Sequence, residues 1–282
     1  MRSLLKPRLM IDRSSRWSRF WRGKPFYDGL TPPVAPVNAN TRLRVRVREW
    51  ERRSLRLFGG LAGRDVEYSF ALRVLTGDPF HVLDIGSCDS LLPLRLAKMG
   101  HTVTVCDFRP YPERHPRIRT VQCDFFQNPF AASEFDAVTL ISTIEHLGIG
   151  GYGMDVQPDA DFRIMEEIKR VLRPDGTLVI TTPFNEPEME LPEFERWYDR
   201  KRLAWLMQGW QLLEVSYWHP GWILFGRVWK FKPGTAEDAG TSYQRTSFQG
   251  FVCMTLTRSQ GCRGRLIDGS EFPGFSGDLH VS

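Results

Sequence analysis

Four stretches place ligand-binding or reactive side chains directly after short apolar runs. They are Val82-Leu-Asp84-Ile-Gly86-Ser-Cys88-Asp89-Ser90, Val103-Thr-Val-Cys106-Asp107-Phe108, Cys123-Asp124-Phe125, and Phe135 to Ser142 with Glu145-His146 just beyond. Gly86 follows its run at once, which permits a sharp turn and close backbone approach to a ligand. Asp107 stands 21 residues further on, where an acid at the tip of a neighbouring strand accepts both hydroxyls of a ribose. A solvated helix cap is the plainer reading of that acid. Asp124 offers an acceptor for an adenine amine, Phe125 an apolar wall for its ring, and Ser142 ends the fourth run. His146 is the leading general-base candidate, because neutral imidazole titrates near physiological pH. Glu145, or an acid of the same loop such as Asp155, would orient it; a structural histidine packed under the ligand is the competing reading.

These residues need a scaffold that brings several strand ends together. Apolar runs at His81–Ile85, Thr102–Cys106, Arg119–Gln122, Phe135–Ser142 and Thr177–Thr182 alternate with helix-length segments. That alternation is the pattern of a parallel sheet covered on both faces, with ligands beyond the carboxyl ends of its strands. Helices are expected over 65–75, over the stretch where Phe162, Met165, Ile168 and Leu172 recur, and from Arg200 to Gln208 with Asp199 as N-cap. Asp159 and Asp161 would complement the positive start of the second of these. Trp210–Trp218 and Gly250–Thr257 are further strand candidates, whereas 219–249 resists assignment.

The glycine count separates the nucleoside ligands. A dinucleotide pyrophosphate wants G-x-G-x-x-G, but here the second and third positions are Cys88 and Leu91. Asp89 between them would repel a phosphate and suits the ammonium or sulfonium of S-adenosyl-L-methionine. In its ordered set of Val82-Leu-Asp-Ile-Gly86, Val103-Thr-Val-Cys-Asp107, Cys123-Asp124-Phe125, Phe135-Asp-Ala-Val-Thr-Leu-Ile-Ser142 and Leu172-Arg-Pro-Asp-Gly-Thr-Leu-Val-Ile180, the region 81–183 resembles a class I S-adenosylmethionine-dependent methyltransferase. The resemblance implies an α/β, Rossmann-like sheet of seven strands, the last antiparallel, with helices on both faces. It also implies that Gly86, Asp107, Asp124 and Phe125 contact the cofactor and that Asp84 holds the first loop; Cys88, Asp89, Phe108 and Ser142 complete the expected cofactor set. Cys88 and Ser90 stand where that family commonly has glycine.

Methyl transfer is an in-line displacement, so the acceptor pocket should lie in the loops after the fourth and fifth strands, Glu145 to Asp155 and Pro183 to Glu188. Gly148, Gly150, Gly151 and Gly153 read as a mobile cover or as a merely permissive loop. Arg109 and Arg114 would suit an anionic acceptor, solvated charge being the alternative. Glu145-His146 also resembles members of this fold that place a divalent metal there with an additional upstream carboxylate; Ser142 stands three residues before Glu145 instead, so no metal is expected. Cys88, Cys106 and Cys123 read as small space-filling hydrophobes.

With 282 residues, 41% hydrophobic and 25% charged, the chain has the make-up of one large globular domain with appendages. The divisions are a basic arm over 1–60, the catalytic domain over 61–258 and a Gly-rich tail over 259–282. Residues 1–57 carry a net charge of +11, leaving −6 on the other 225, so the basic excess is not on the domain and no nucleic-acid partner is expected. The arm could be an extension packed on the domain, a membrane-surface segment making peripheral contact, or an organelle-type presequence. Five cysteines without a CxxC pair suggest a reducing, cytoplasmic setting. The reading favoured is methyl transfer to an oxygen or nitrogen of a small-molecule or glycan acceptor. A non-catalytic module docked through the arm, and a nicotinamide dehydrogenase, are the alternatives.

Overall fold

The computed structural model describes residues 59–258 except 89, 128, 152–154 and 225–226, together with 43, 46, 47, 49, 50, 53, 54, 56 and 57 ahead of them. Asp89, Gly153, most of the arm and the Gly-rich tail lie outside the described residues.

The elements run α1 (Gly63–Val74), β1 (His81–Ile85), α2 (Leu92–Lys98), β2 (Thr102–Asp107), β3 (Ile118–Gln122), β4 (Phe135–Ile141), α3 (Ala160–Val171) and β5 (Leu172–Phe184). There follow β6 (Met189–Leu191), β7 (Glu195–Trp197), α4 (Arg200–Leu206), β8 (Trp210–Leu224), β9 (Arg227–Gly234), two short helices α5 (Ala236–Gly240) and α6 (Ser242–Thr246), and β10 (Gly250–Arg258). The main sheet is ordered β3-β2-β1-β4-β5-β10-β8-β9. Strands β1 to β5 are parallel neighbours, and β10 runs antiparallel between β5 and β8. The antiparallel last strand matches expectation, but the sheet has eight strands rather than seven. The extra one, β9, arises from the stretch that resisted assignment. It pairs with β8 at the sheet edge, where Pro220 and Pro233 are tolerated and the register slips at Trp222, and its other side meets Leu61 in a single parallel bridge.

Both faces of the sheet are buried, which is why the strands read as unbroken apolar runs. On one face Leu83, Ile85, Val138 and Leu140 pack against Ile164, Met165 and Ile168 of α3. On the other, Val82, Val103 and Val105 pack against Val66, Phe70 and Ala71 of α1 and Leu92 and Leu96 of α2. The order reverses between β1 and β4, and the carboxyl ends of the strands beside that switch point are where a sheet of this kind takes its ligand.

One correction concerns α3. Asp159 makes no side-chain cap, and Asp161 is fully buried instead of flanking a solvated helix start. Its carboxylate accepts from Arg196 of β7 at 3.0 Å, from Arg202 of α4 at 2.8 and 3.0 Å, and from the hydroxyl of buried Tyr198 at 3.2 Å. This cluster anchors the β6–β7 hairpin to the domain. Asp199 does cap α4, accepting from the Arg202 amide at 2.8 Å.

Candidate active site

At the β1 exit Gly86 takes φ +77°, and its amide donates to the Cys106 carbonyl at 2.9 Å. A Cβ there would fall 2.3 Å from Thr143 Cγ2, so the residue is fixed both by backbone hand and by the β4 exit pressed against it. Gly86→Ala should therefore lower stability by about 1–3 kcal/mol, read by chemical denaturation; an unchanged midpoint would refute this packing.

Asp107, 5% exposed at the end of β2, is held by both adjoining loops. Its Oδ2 accepts from the Cys88 amide at 2.9 Å and its Oδ1 from the Arg109 amide at 2.8 Å. The Arg109 guanidinium leans on the same carboxylate at 3.3 and 3.4 Å, with the Phe108 ring beside it. Arg109 is thus engaged with Asp107, while Arg114 is exposed. Cys88 is buried and Ser90 braces the turn, receiving the Leu92 amide at 3.0 Å and meeting the Tyr68 hydroxyl at 2.9 Å. Both side chains fill space that a glycine would leave open. Asp84 is buried on the α1–α2 side and accepts from the Thr139 hydroxyl of β4. Burial pushes its carboxyl up to about 7, against the hydroxyls of Thr139 and Ser87, which favour charge.

At the β3 exit Asp124 accepts from the Phe126 amide at 3.0 Å and opens a single 3₁₀ turn. Phe125 is 7% exposed and packs into the core beside Phe130, so most of its ring is covered from below. The thiols of Cys106 and Cys123 touch at 3.4 Å nearby, and burial raises the Cys106 thiol far above its ordinary range.

The β4 exit is the most constrained corner. Ser142 has φ +43°, an unusual backbone for a residue with a Cβ, and it is pinned by Thr181 at 3.0 Å. Its hydroxyl donates to Glu67 of α1, whose same oxygen accepts from the Thr181 hydroxyl at 2.8 Å. Arg64 bridges Glu67 and the Ile141 carbonyl at 3.4 and 3.3 Å. Glu145 is 2% exposed and burial, reinforced by the charges of Glu195 and Glu67, drives its carboxyl well above the usual range. His146 places Nδ1 2.6 Å from the Phe194 carbonyl. A carbonyl only accepts, so Nδ1 carries the proton and Nε2 keeps its lone pair. Burial lowers its pKa to about 4, helped by the charges of Arg64 and Arg109. Its orienting group is therefore a carbonyl on the β6–β7 hairpin rather than Glu145. Asp155 is exposed beside the Ile149–Val156 bridge, and none of the described contacts joins it to His146.

The glycine loop is packed more tightly than a free cover. A Cβ on Gly148 would fall 1.8 Å from the Gln157 carbonyl, and one on Gly151 2.9 Å from that of Glu193. The Glu193 amide donates to Ile149 at 3.2 Å, so the hairpin tip sits directly on this loop. Sequence reasoning passed over Glu67, Glu195 and Phe194. A signal existed for Glu67, an acid on the buried side of α1 between Val66 and Phe70.

This order of strands, with an antiparallel strand inserted beside the fifth, is the Rossmann-like arrangement the sequence leads one to expect. Residues 83–180 match the family model described as a methyltransferase domain. Among solved structures, Burkholderia thailandensis 1,6-didemethyltoxoflavin-N1-methyltransferase, with S-adenosylhomocysteine bound, is 19% identical with a TM-score of 0.52. The match covers 80% of this chain and 93% of that one. The [4+2]-cyclase SpnF is 17% identical over 70% of this chain and 80% of its own, TM-score 0.49. The N-methyltransferase NodS from Bradyrhizobium japonicum is 13% identical over 70% and 87%, TM-score 0.46. No curated protein matches the chain significantly.

Proposed function

We propose that the chain transfers a methyl group from S-adenosylmethionine to an oxygen or nitrogen of a small-molecule or glycan acceptor. The observations that carry this are the buried Asp107 carboxylate at the β2 exit and, beyond the β4 exit of the same sheet, His146 with its proton held on Nδ1 by the Phe194 carbonyl. The donor set fits the cofactor. Asp107 is an acceptor already oriented by two backbone amides, and the partly exposed Arg109 side chain leans on it and would have to share or yield it. Gly86 and Cys88 would border the ribose, with Asp124 and the Phe125 edge on the adenine side. The cofactor, when bound, supplies an electrophilic sulfonium methyl.

The chain's own residues do the rest. The loop 144–151 and the hairpin above it hold the acceptor in line, the larger share of such catalysis at up to roughly 7–11 kcal/mol. His146 Nε2 takes the acceptor's proton as the new bond forms, while Phe194 keeps the ring in the required tautomer. Glu145 and Glu195 are both buried, and burial raises both carboxyls above their ordinary range.

The test is an acceptor screen read by a mass gain of about 14 daltons, one CH₂ unit, followed by His146→Ala. Turnover should fall about 10²–10⁴-fold with S-adenosylhomocysteine affinity unchanged; equal turnover would remove His146 as the base. With its pKa near 4, the acid limb attributable to His146 should lie near pH 4, not 6.5.

Glu195 gives a separate stability prediction. Burial raises its pKa from 4.5 to about 7, so between those values the native state binds the extra proton and stability falls as pH rises. Glu195→Gln keeps the acceptor for Trp197 Nε1 but removes the ionisation. The variant should gain on wild type by about 1–3 kcal/mol on going from pH 5 to pH 8, measured by urea unfolding. A difference independent of pH would contradict the assignment.

A further inference from the structure

The described residues between 43 and 57 are helical, and this helix is amphipathic in the wrong sense for packing on the domain. Glu49 faces inward, 6% exposed, and accepts from Arg95 of α2 at 2.8 Å and from the largely exposed Arg53 at 3.4 Å, while Arg46, also exposed, reaches Glu113 at 3.1 Å. Its apolar side faces out. Leu43, Val47, Trp50 and Leu57 recur at steps of four, three and seven, which keeps them on one stripe, and they are 61%, 45%, 69% and 84% exposed. Beside Trp50, between this helix and α2, lies a pocket of about 210 Å³ lined by Leu91 and Leu94, by the four cations Arg46, Arg53, Arg95 and Lys98, and by the Glu49 carboxylate that Arg53 and Arg95 hold. Nothing in the methyl-transfer reading uses either feature.

We infer that this face docks on an anionic lipid bilayer, with the stripe in the interface and a headgroup phosphate at the cationic pocket. An apolar stripe flanked by arginines, outward on a helix, is the arrangement that combines buried area with attraction to acidic lipid. A second copy of the chain fits less well, because it would set the same cations against one another. The preceding residues 1–42, with nine Lys or Arg against two acids, add charge of the same sign. The inference is independent of the acceptor chemistry.

The test is co-sedimentation of the full chain with phosphatidylcholine vesicles with and without phosphatidylglycerol. Wild type should pellet with the anionic vesicles only, and added salt should release it. Trp50→Glu with Leu57→Glu should weaken binding on the order of a hundredfold, and Arg53→Glu with Lys98→Glu about tenfold or more. Both pairs should bind S-adenosylhomocysteine as wild type does, which shows that the domain is folded. The inference is overturned if wild type does not distinguish the two vesicles, or if the Trp50 and Leu57 pair binds them undiminished through the rest of the arm. It is equally overturned if that pair merely turns a dimer into a monomer while vesicle binding is absent throughout.

Discussion

Replacing Asp107 by alanine is expected to weaken S-adenosylhomocysteine binding by about a hundredfold, roughly 3 kcal/mol, in a calorimetric titration. Two effects combine. The ribose loses a charged acceptor, and the Cys88 amide, now bonded at 2.9 Å, loses the partner that fixes the first loop. Asp107→Asn separates them, because an amide oxygen can still receive the Cys88 N–H while the charge is gone. Its loss should fall between wild type and alanine. An alanine variant that binds as wild type does would mean the ribose lies elsewhere. Arg109 sharpens the prediction: its guanidinium now leans on the carboxylate the ribose needs, so its rearrangement should accompany binding.

The second large effect is on stability. Asp161→Ala should cost about 3–5 kcal/mol, because it removes the one fully buried carboxylate that Arg196 and Arg202 share and leaves them the part-exposed Glu188 and Glu190. Arg196 is 3% exposed on its side chain, so water cannot make up the difference. Arg202 and the Tyr198 hydroxyl lose the same acceptor. Since this cluster seats the hairpin whose Phe194 carbonyl orients His146, residual turnover in the folded fraction should fall as well. A denaturation midpoint within experimental error of wild type would show that the cluster is not stabilising. The comparison with Arg202→Met, which leaves Arg196 still paired with Asp161 at 3.0 Å, should be milder.

What the sequence disclosed follows from what the fold makes local. The residues at strand ends were legible because each lies just after an apolar run, and a parallel sheet gathers those ends at one edge. Gly86 and Asp107 are the cleanest cases, the second held by an amide only two positions from the first. The remainder was hidden by contacts made across long stretches of chain. Glu67 meets Thr181, 114 residues away, and no pattern within α1 announces that partner. The hairpin that orients His146 consists of strands of three residues each, too short for period-two alternation to register. Asp161 looked like an ordinary acidic helix start because its two arginines lie 35 and 41 residues further on. Edge strand β9 was obscured by its own Pro233 and Gly234 and by Pro220 and Gly221 in the strand it pairs with, residues a central strand would not tolerate.

Thermal unfolding in the presence of competing nucleosides tests the cofactor site at its root. S-adenosylhomocysteine at about 100 times its dissociation constant should stabilise the domain by about 2.7 kcal/mol, and NADH at the same concentration should leave the transition where it is. Protection by NADH with none by S-adenosylhomocysteine would contradict the account of the site at β1 and β2.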